Sequence, residues 1–258
     1  MPEIQLSRGG LWYAARHVKG SPYPPLVLLH GATGSHLDWP GELRRLPAAT
    51  VLVPDLPGHG RSDGPGRQSV EAYAAVVLEF LDTLGIRRAI IGGHSMGGAI
   101  AQMLALDSPS RVAGLILLGT GARLRVHPDV LGRILVDPAG VYDLLIKWMW
   151  AEGTPESFLR RGRQQMAAND PQTVYGNLAA CNAFDVMDRL GEIAAPTLVI
   201  GGTADRMTPL KYSEYLADHI PAAEMVTVEG GGHMMALEQP QVVAQAVSSW
   251  LTRTDFQG

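Results

Sequence analysis

A single cysteine, Cys181, occurs in 258 residues, which excludes an intrachain disulfide framework and any cluster of thiolate metal ligands. A basic excess is also missing. The 21 Lys and Arg stand against 25 Asp and Glu, a net charge of −4, which argues against an electrostatic nucleic-acid binder. Aromatic residues make up only 6%. The apolar runs are short, far below the roughly 20 residues that cross a bilayer as a helix. Residues 1–20 lack the basic segment, apolar core and small-residue cleavage site of a secretory signal. Neither a metal-ligand cluster nor a dinucleotide-binding glycine loop is visible, so no metal and no organic cofactor is expected. These absences lead us to expect a cytoplasmic protein with no membrane or nucleic-acid partner, acting as a monomer or small homo-oligomer.

What is abundant is glycine and proline, 30 and 18 residues, in a chain that is 46% hydrophobic. That combination calls for tight turns around a real core rather than disorder. Short apolar runs recur at Leu26 to Leu29, Val51 to Val53, Ala89 to Ile91, Leu115 to Leu118, Thr197 to Ile200 and Met225 to Val228. Continuous runs of this length suit strands buried on both faces of a mostly parallel sheet. Residues 11–18 alternate loosely, as antiparallel edge strands do.

Helical patterns lie between these runs. Ser69 can cap a helix whose stripe is Val70, Tyr73, Ala74, Val77, Leu78, Leu81 and Leu84, closed by Gly85. Small residues from Gly97 to Leu106 form a second helix, and Pro240 can open a last one with Val243, Val247 and Trp250 facing inward. The fold class predicted is a doubly wound α/β sheet with helices on both faces. Residues 121–187 break the rhythm, with no clear strand and with apolar residues such as Val130, Leu131, Ile134, Leu135, Val141, Leu145 and Trp148 at helical spacing. They read as a helical insertion between core strands, dividing the core into residues 1–120 and 188–258. Such an insertion is expected over the carboxyl ends of the strands, where open α/β sheets bind ligands.

Gly93-His94-Ser95-Met96-Gly97 follows one apolar run and precedes a helix. A G-x-S-x-G turn in that setting lifts a serine hydroxyl above the sheet, and its glycines avoid collisions with the flanking elements. A serine needs a base, itself oriented by an acid. Of the eight histidines, His233 is the best candidate, since it follows the last strand and the run Gly230-Gly231-Gly232. His30 and His94 sit at buried strand ends and read as hydrogen-bonded core residues. His17, His127 and His219 have no turn or strand-end context. For the acid, Asp205 lies just past another strand, and a helix cap ahead of Pro209 is its alternative role. The segment Gly119-Thr120-Gly121 offers no competing carboxylate. Ser95, Asp205 and His233 in that chain order are therefore the candidate catalytic residues. The main-chain N–H groups of Ala32, after the strand Leu26 to Leu29, and of Met96 are the candidate oxyanion donors.

On these segments, with Pro54-Asp55-Leu56-Pro57-Gly58-His59-Gly60-Arg61-Ser62, His30-Gly31, Gly34 and Gly232-His233, the chain resembles the α/β-hydrolase superfamily, in its group of small serine esterases with a helical cap. The matches span most of the chain outside residues 121–187. The resemblance implies a cap over a pocket at the carboxyl edge of the sheet, and a loop shaped by Asp55, His59 and Arg61 beside it. Glu238 and Pro240 complete the same context.

The expected activity is hydrolysis of carboxylic esters of small to medium acyl chain through an acyl-enzyme. A lactone, an acyl thioester, a C–C bond or a perhydrolase reaction would use the same three residues. Epoxide hydrolase and dehalogenase chemistry is disfavoured because those relatives place aspartate where Ser95 stands. A small-ligand receptor on the same fold is the non-enzymatic alternative. Within residues 121–187 seven Lys/Arg balance seven Asp/Glu, so no net charge selects an anionic substrate. Trp148, Met149, Trp150, Phe158 and Met166 there suit an acyl or aryl group, although residues of this kind at helical spacing more often pack cap on core. Arg160, Arg161 and Arg163 read as a solvated helix face, and Cys181 as a buried small residue.

Overall fold

The computed structural model describes residues 3–256. Its strands are β1 (Glu3–Leu6), β2 (Gly9–Arg16), β3 (Leu26–Leu29), β4 (Val51–Pro54), β5 (Ala89–His94), β6 (Val112–Leu118), β7 (Thr197–Gly202) and β8 (Ala223–Val228). The helices are α1 (Gly41–Arg44), α2 (Val70–Thr83), α3 (Met96–Asp107), α4 (Pro128–Arg133), α5 (Pro138–Met149), α6 (Glu156–Ala167), α7 (Pro171–Ala183), α8 (Lys211–His219), α9 (Met235–Glu238) and α10 (Pro240–Arg253). The strands form one sheet in the order β1-β2-β4-β3-β5-β6-β7-β8. β1 and β2 pair antiparallel, and every pairing from β4 to β8 is parallel.

Successive side chains of a strand point to opposite faces. In β3, Val27 and Leu29 join one apolar cluster with Tyr73 and Phe80 of α2 and Leu104 of α3. Leu26 and Leu28 join another with Trp39, Leu43 of α1 and Trp250 of α10. Both faces of the central strands are covered, which is why their sequences are apolar throughout rather than alternating. Ser69 caps α2 by accepting from the Ala72 N–H at 3.1 Å, Gly85 ends it at φ 66°, and Pro240 opens α10.

Between β6 and β7 run α4 to α7, bracketed by an isolated antiparallel bridge between Arg123 and Asp185. Their apolar residues form a separate cluster that includes Val130, Tyr142, Leu145, Trp150, Met166 and, from the sheet side, Met234. Leu135 departs from the periodic reading: α4 stops at Arg133 and Leu135 is exposed. His127, which carries no local signal, caps α4, its Nδ1 accepting from the Asp129 N–H at 3.2 Å. No helix among the described residues is long and apolar enough to cross a membrane.

Candidate active site

At the carboxyl end of β5 the chain turns sharply into α3. Ser95 occupies this turn at φ 55° and ψ −117°, a conformation that costs a non-glycine residue about 1–3 kcal/mol. Two hydrogen bonds hold it there, from the Ser95 N–H to Leu118 O at 3.0 Å and from Thr120 Oγ1 to Ser95 O at 2.8 Å. Glycines make the close packing possible. A Cβ on Gly93 would lie 2.0 Å from Gly97 O, and one on Gly97 would lie 2.2 Å from Leu29 O. Both obstacles are main chain, so neither can move aside cheaply.

Asp205 follows β7 and His233 follows β8, and the two meet with Asp205 Oδ2 2.9 Å from His233 Nδ1. Asp205 also accepts from the N–H groups of Met207 and Thr208 at 2.8 and 2.9 Å, so it both caps its own loop and holds the imidazole. Thr208 Oγ1 donates to Asp205 Oδ2 at 2.8 Å. Burial alone would raise the Asp205 pKa, but the His233 charge and the hydrogen bonds from His233 and Thr208 outweigh it and hold it below the usual value. The carboxylate therefore stays ionised, and Nδ1–H donation to it leaves His233 Nε2 as the basic nitrogen. Gly119, where the sequence has no carboxylate, abuts this pair: a Cβ there would lie 3.5 Å from both Asp205 Oδ2 and His233 Nδ1.

Ser95 and His233 line one cavity of about 80 Å³. Among the described residues no hydrogen bond joins their side chains. Leu124, Val126, Leu145, Met149, Leu178 and Met207 make most of the cavity wall apolar. Cys181 lines it as well, a buried thiol pushed up to about 12 by burial. His94, read as a core residue, borders the cavity too. Its Nε2 lies 2.9 Å from His233 O, and burial depresses its pKa to about 3, keeping the ring neutral.

The N–H groups of Ala32 and Met96 donate to no protein acceptor among the described residues. His30 accounts for the setting of the first. Its Nε2 accepts from the Leu56 N–H at 2.9 Å, which assigns the remaining proton to Nδ1, 2.8 Å from Gly31 O. That bond fixes the peptide plane carrying the Ala32 N–H. Ala32 O in turn accepts from Asn177 Nδ2 of α7 at 2.7 Å, with His59 Nε2 3.2 Å away, while Tyr73 donates to Asn177 Oδ1 at 2.6 Å. Asp55 organises the neighbouring loop, accepting from the N–H groups of His36 at 2.6 Å and Arg61 at 3.0 Å.

The family model described as the alpha/beta hydrolase family matches residues 26–246. The chain belongs to the alpha/beta hydrolase family. It is accordingly a hydrolase, and its sheet order and helix placement are those of that fold. Over 235 residues it is 31% identical to the "Putative carbamate hydrolase RutD" of Stutzerimonas stutzeri (strain A1501), covering 84% of this chain and 88% of that one. Among solved structures it is similar to the enol-lactonase from Burkholderia xenovorans LB400, with a TM-score of 0.90, 25% identity and coverage of 97% and 100% of the two chains. A thermophilic esterase from Thermogutta terrifontis matches with a TM-score of 0.87 and 27% identity over 98% of this chain and 99% of that one.

Sequence reasoning singled out Ser95, Asp205, His233, Ala32 and Met96. It passed over Thr208, Asn177 and Asp38. Thr208 was within reach, being three residues after the predicted acid in a loop that must fold back on it. Asn177 and Asp38 owe their places to contacts between residues 121–187 and the core, for which one sequence carries no signal. Glu238 was noted only as context. It accepts from the Gly232 N–H at 2.6 Å and from the Ala151 N–H at 2.7 Å, joining the segment before His233 to the α5–α6 linker.

Proposed function

We propose that the protein is a serine hydrolase that cleaves carboxylic esters of small to medium acyl chain through an acyl-enzyme. The observation that carries this reading is the strained Ser95 on the β5–α3 turn, sharing one small apolar cavity with a His233 that is bonded to an ionised Asp205. Strain at a non-glycine residue persists only where the surrounding structure over-determines it, and such residues cluster at reacting centres.

In this reading Ser95 Oγ attacks the ester carbonyl carbon while its proton passes to His233 Nε2. The carbonyl electron pair moves onto oxygen, which the N–H groups of Ala32 and Met96 receive. Asp205 holds the imidazole in register and stabilises its cationic form. Collapse of the tetrahedral species breaks the bond to the alcohol, which leaves with the proton from Nε2. Water then adds to the acyl carbon, giving a proton to Nε2, and the second collapse returns that proton to Ser95 Oγ and frees the acid.

A lactone is the second reading, since ring opening uses the same steps and the similarity to the enol-lactonase favours it. Assaying p-nitrophenyl acetate beside a simple lactone separates the two by relative kcat/KM. Ser95→Ala is expected to lower kcat by at least about a thousandfold while leaving the thermal midpoint at or above that of the parent. A variant that keeps near-parental turnover would overturn the assignment.

A further inference from the structure

Asp38 is buried at 8% exposure, yet it borders two cavities at once. One is the Ser95–His233 cavity. The other, of about 50 Å³, lies between residues 33–38 and the helices α5 and α6, lined by Trp150, Phe158, Met166 and Met234 among others. Its carboxylate fits there because Gly34 has no side chain: a Cβ on Gly34 would overlap Asp38 Oδ2 at 1.8 Å. Ala32, Asp38, Ser95 and His233 all line the first cavity, so a substrate whose carbonyl is held at the Ala32 N–H shares that cavity with the Asp38 carboxylate. The carboxylate accepts from Gln165 Nε2 of α6 at 2.6 Å.

No cation pairs with it among the described residues. His36 Nδ1 is engaged by Asp55 at 2.9 Å, and Asp55 itself adds like charge. Arg161 borders the second cavity but makes no ion pair with Asp38. A buried carboxylate with spare lone pairs and no counter-ion is a costly thing to keep in an apolar cleft. Burial lifts its pKa to about 6, so at neutral pH it remains largely an acceptor-only group.

We infer that Asp38 is a specificity-determining residue that selects substrates bearing a neutral hydrogen-bond donor, an amide N–H or a hydroxyl, close to the scissile ester. An acyl chain ending in a second carboxylate would meet like charge there. An ammonium would have to shed its water among Leu, Met and Trp side chains. A neutral donor supplies the bond without either cost. This inference rests on the serine-hydrolase reading and names the substrate class for it.

Two matched pairs of esters test it by pH-stat at pH 8. Ethyl N-acetylglycinate against ethyl 4-oxopentanoate places N–H or CH2 in the acyl half. 2-Acetamidoethyl acetate against 4-oxopentyl acetate places the same swap in the alcohol half. The parent is expected to prefer the N–H member of at least one pair by about tenfold or more in kcat/KM, the worth of one hydrogen bond to a charged acceptor. In Asp38→Leu that ratio should fall to near unity. A ratio cancels any general loss of activity, so a merely structural role for the Asp38–Gln165 contact would not move it. Asp38→Asn, which keeps the packing against Gly34, serves if the leucine variant fails to fold, and should at least halve the logarithm of the preference. A parent that hydrolyses p-nitrophenyl acetate but shows no preference, or a preference unchanged in both variants, overturns the role of Asp38 and leaves the hydrolase reading standing. A parent that turns over none of the five esters overturns the carboxylic-ester reading itself.

Discussion

Thr208 touches both halves of the buried pair, donating to Asp205 Oδ2 at 2.8 Å and lying 3.3 Å from His233 Nδ1. Removing its hydroxyl withdraws one of the bonds that keep the Asp205 pKa low. Thr208→Val is close in shape, and it should lower kcat by roughly tenfold, the value of one charge-assisted hydrogen bond. KM for a short-chain ester should change little, which steady-state kinetics on folded protein will check. The hydroxyl was hidden from sequence reading for a physical reason. Asp205 and His233 announced themselves through strand ends and glycines, whereas a threonine in a loop is common and gains meaning only when the loop closes back on its own carboxylate. His94 is a different case. Its place at a strand end reads as core, and burial does hold it neutral, but the turn into α3 brings it to the cavity wall as well.

The β5–α3 unit depends on two backbones approaching closely. Gly97 sits where any side chain would strike Leu29 O of β3, so Gly97→Ala should destabilise by about 3 kcal/mol or prevent folding, since overpacking against main chain has no soft response. Gly132 in α4 is the contrast: nothing lies within 4 Å of its missing Cβ. Gly132→Ala should stabilise by about 0.5–1 kcal/mol through helix propensity alone. Denaturant unfolding of the two variants reads both signs. These elements were legible because each carries a local pattern. The apolar runs became β3 to β8, with seven of the twelve ends where the run places them and the others extended by one to three residues, β6 reaching back to Val112. Ser69, Gly85 and Pro240 delimit helices as their chemistry requires. Residues 121–187 were legible as helices but not in their docking. The bonds from Asn177 to Ala32 and from Gln165 to Asp38 span more than 100 residues of chain, and no spacing encodes them.

Stability across the fold should respond to acid through histidines that are buried neutral. His30 and His94 are both depressed to about 3, chiefly by burial. Below pH 6.5 the unfolded chain binds protons at these sites and the folded one does not, so stability falls as pH drops from about 6.5 towards 3. Each group contributes up to about 1.4 kcal/mol per pH unit in that window. Asp38, raised to about 6, acts in the opposite sense between its ordinary value and 6, because its folded form holds a proton more tightly. Urea unfolding at pH 7, 6 and 5 should give a net fall, and substituting His94 by Gln should flatten it by close to one group's share. Glu238 adds a mechanical tie between the two layers. One carboxyl clasps the amide ahead of the imidazole and the linker between α5 and α6. Grafting a relative's α4–α7 segment would therefore also shift the loop that carries His233, unless residue 238 and its two amide partners travel with the graft.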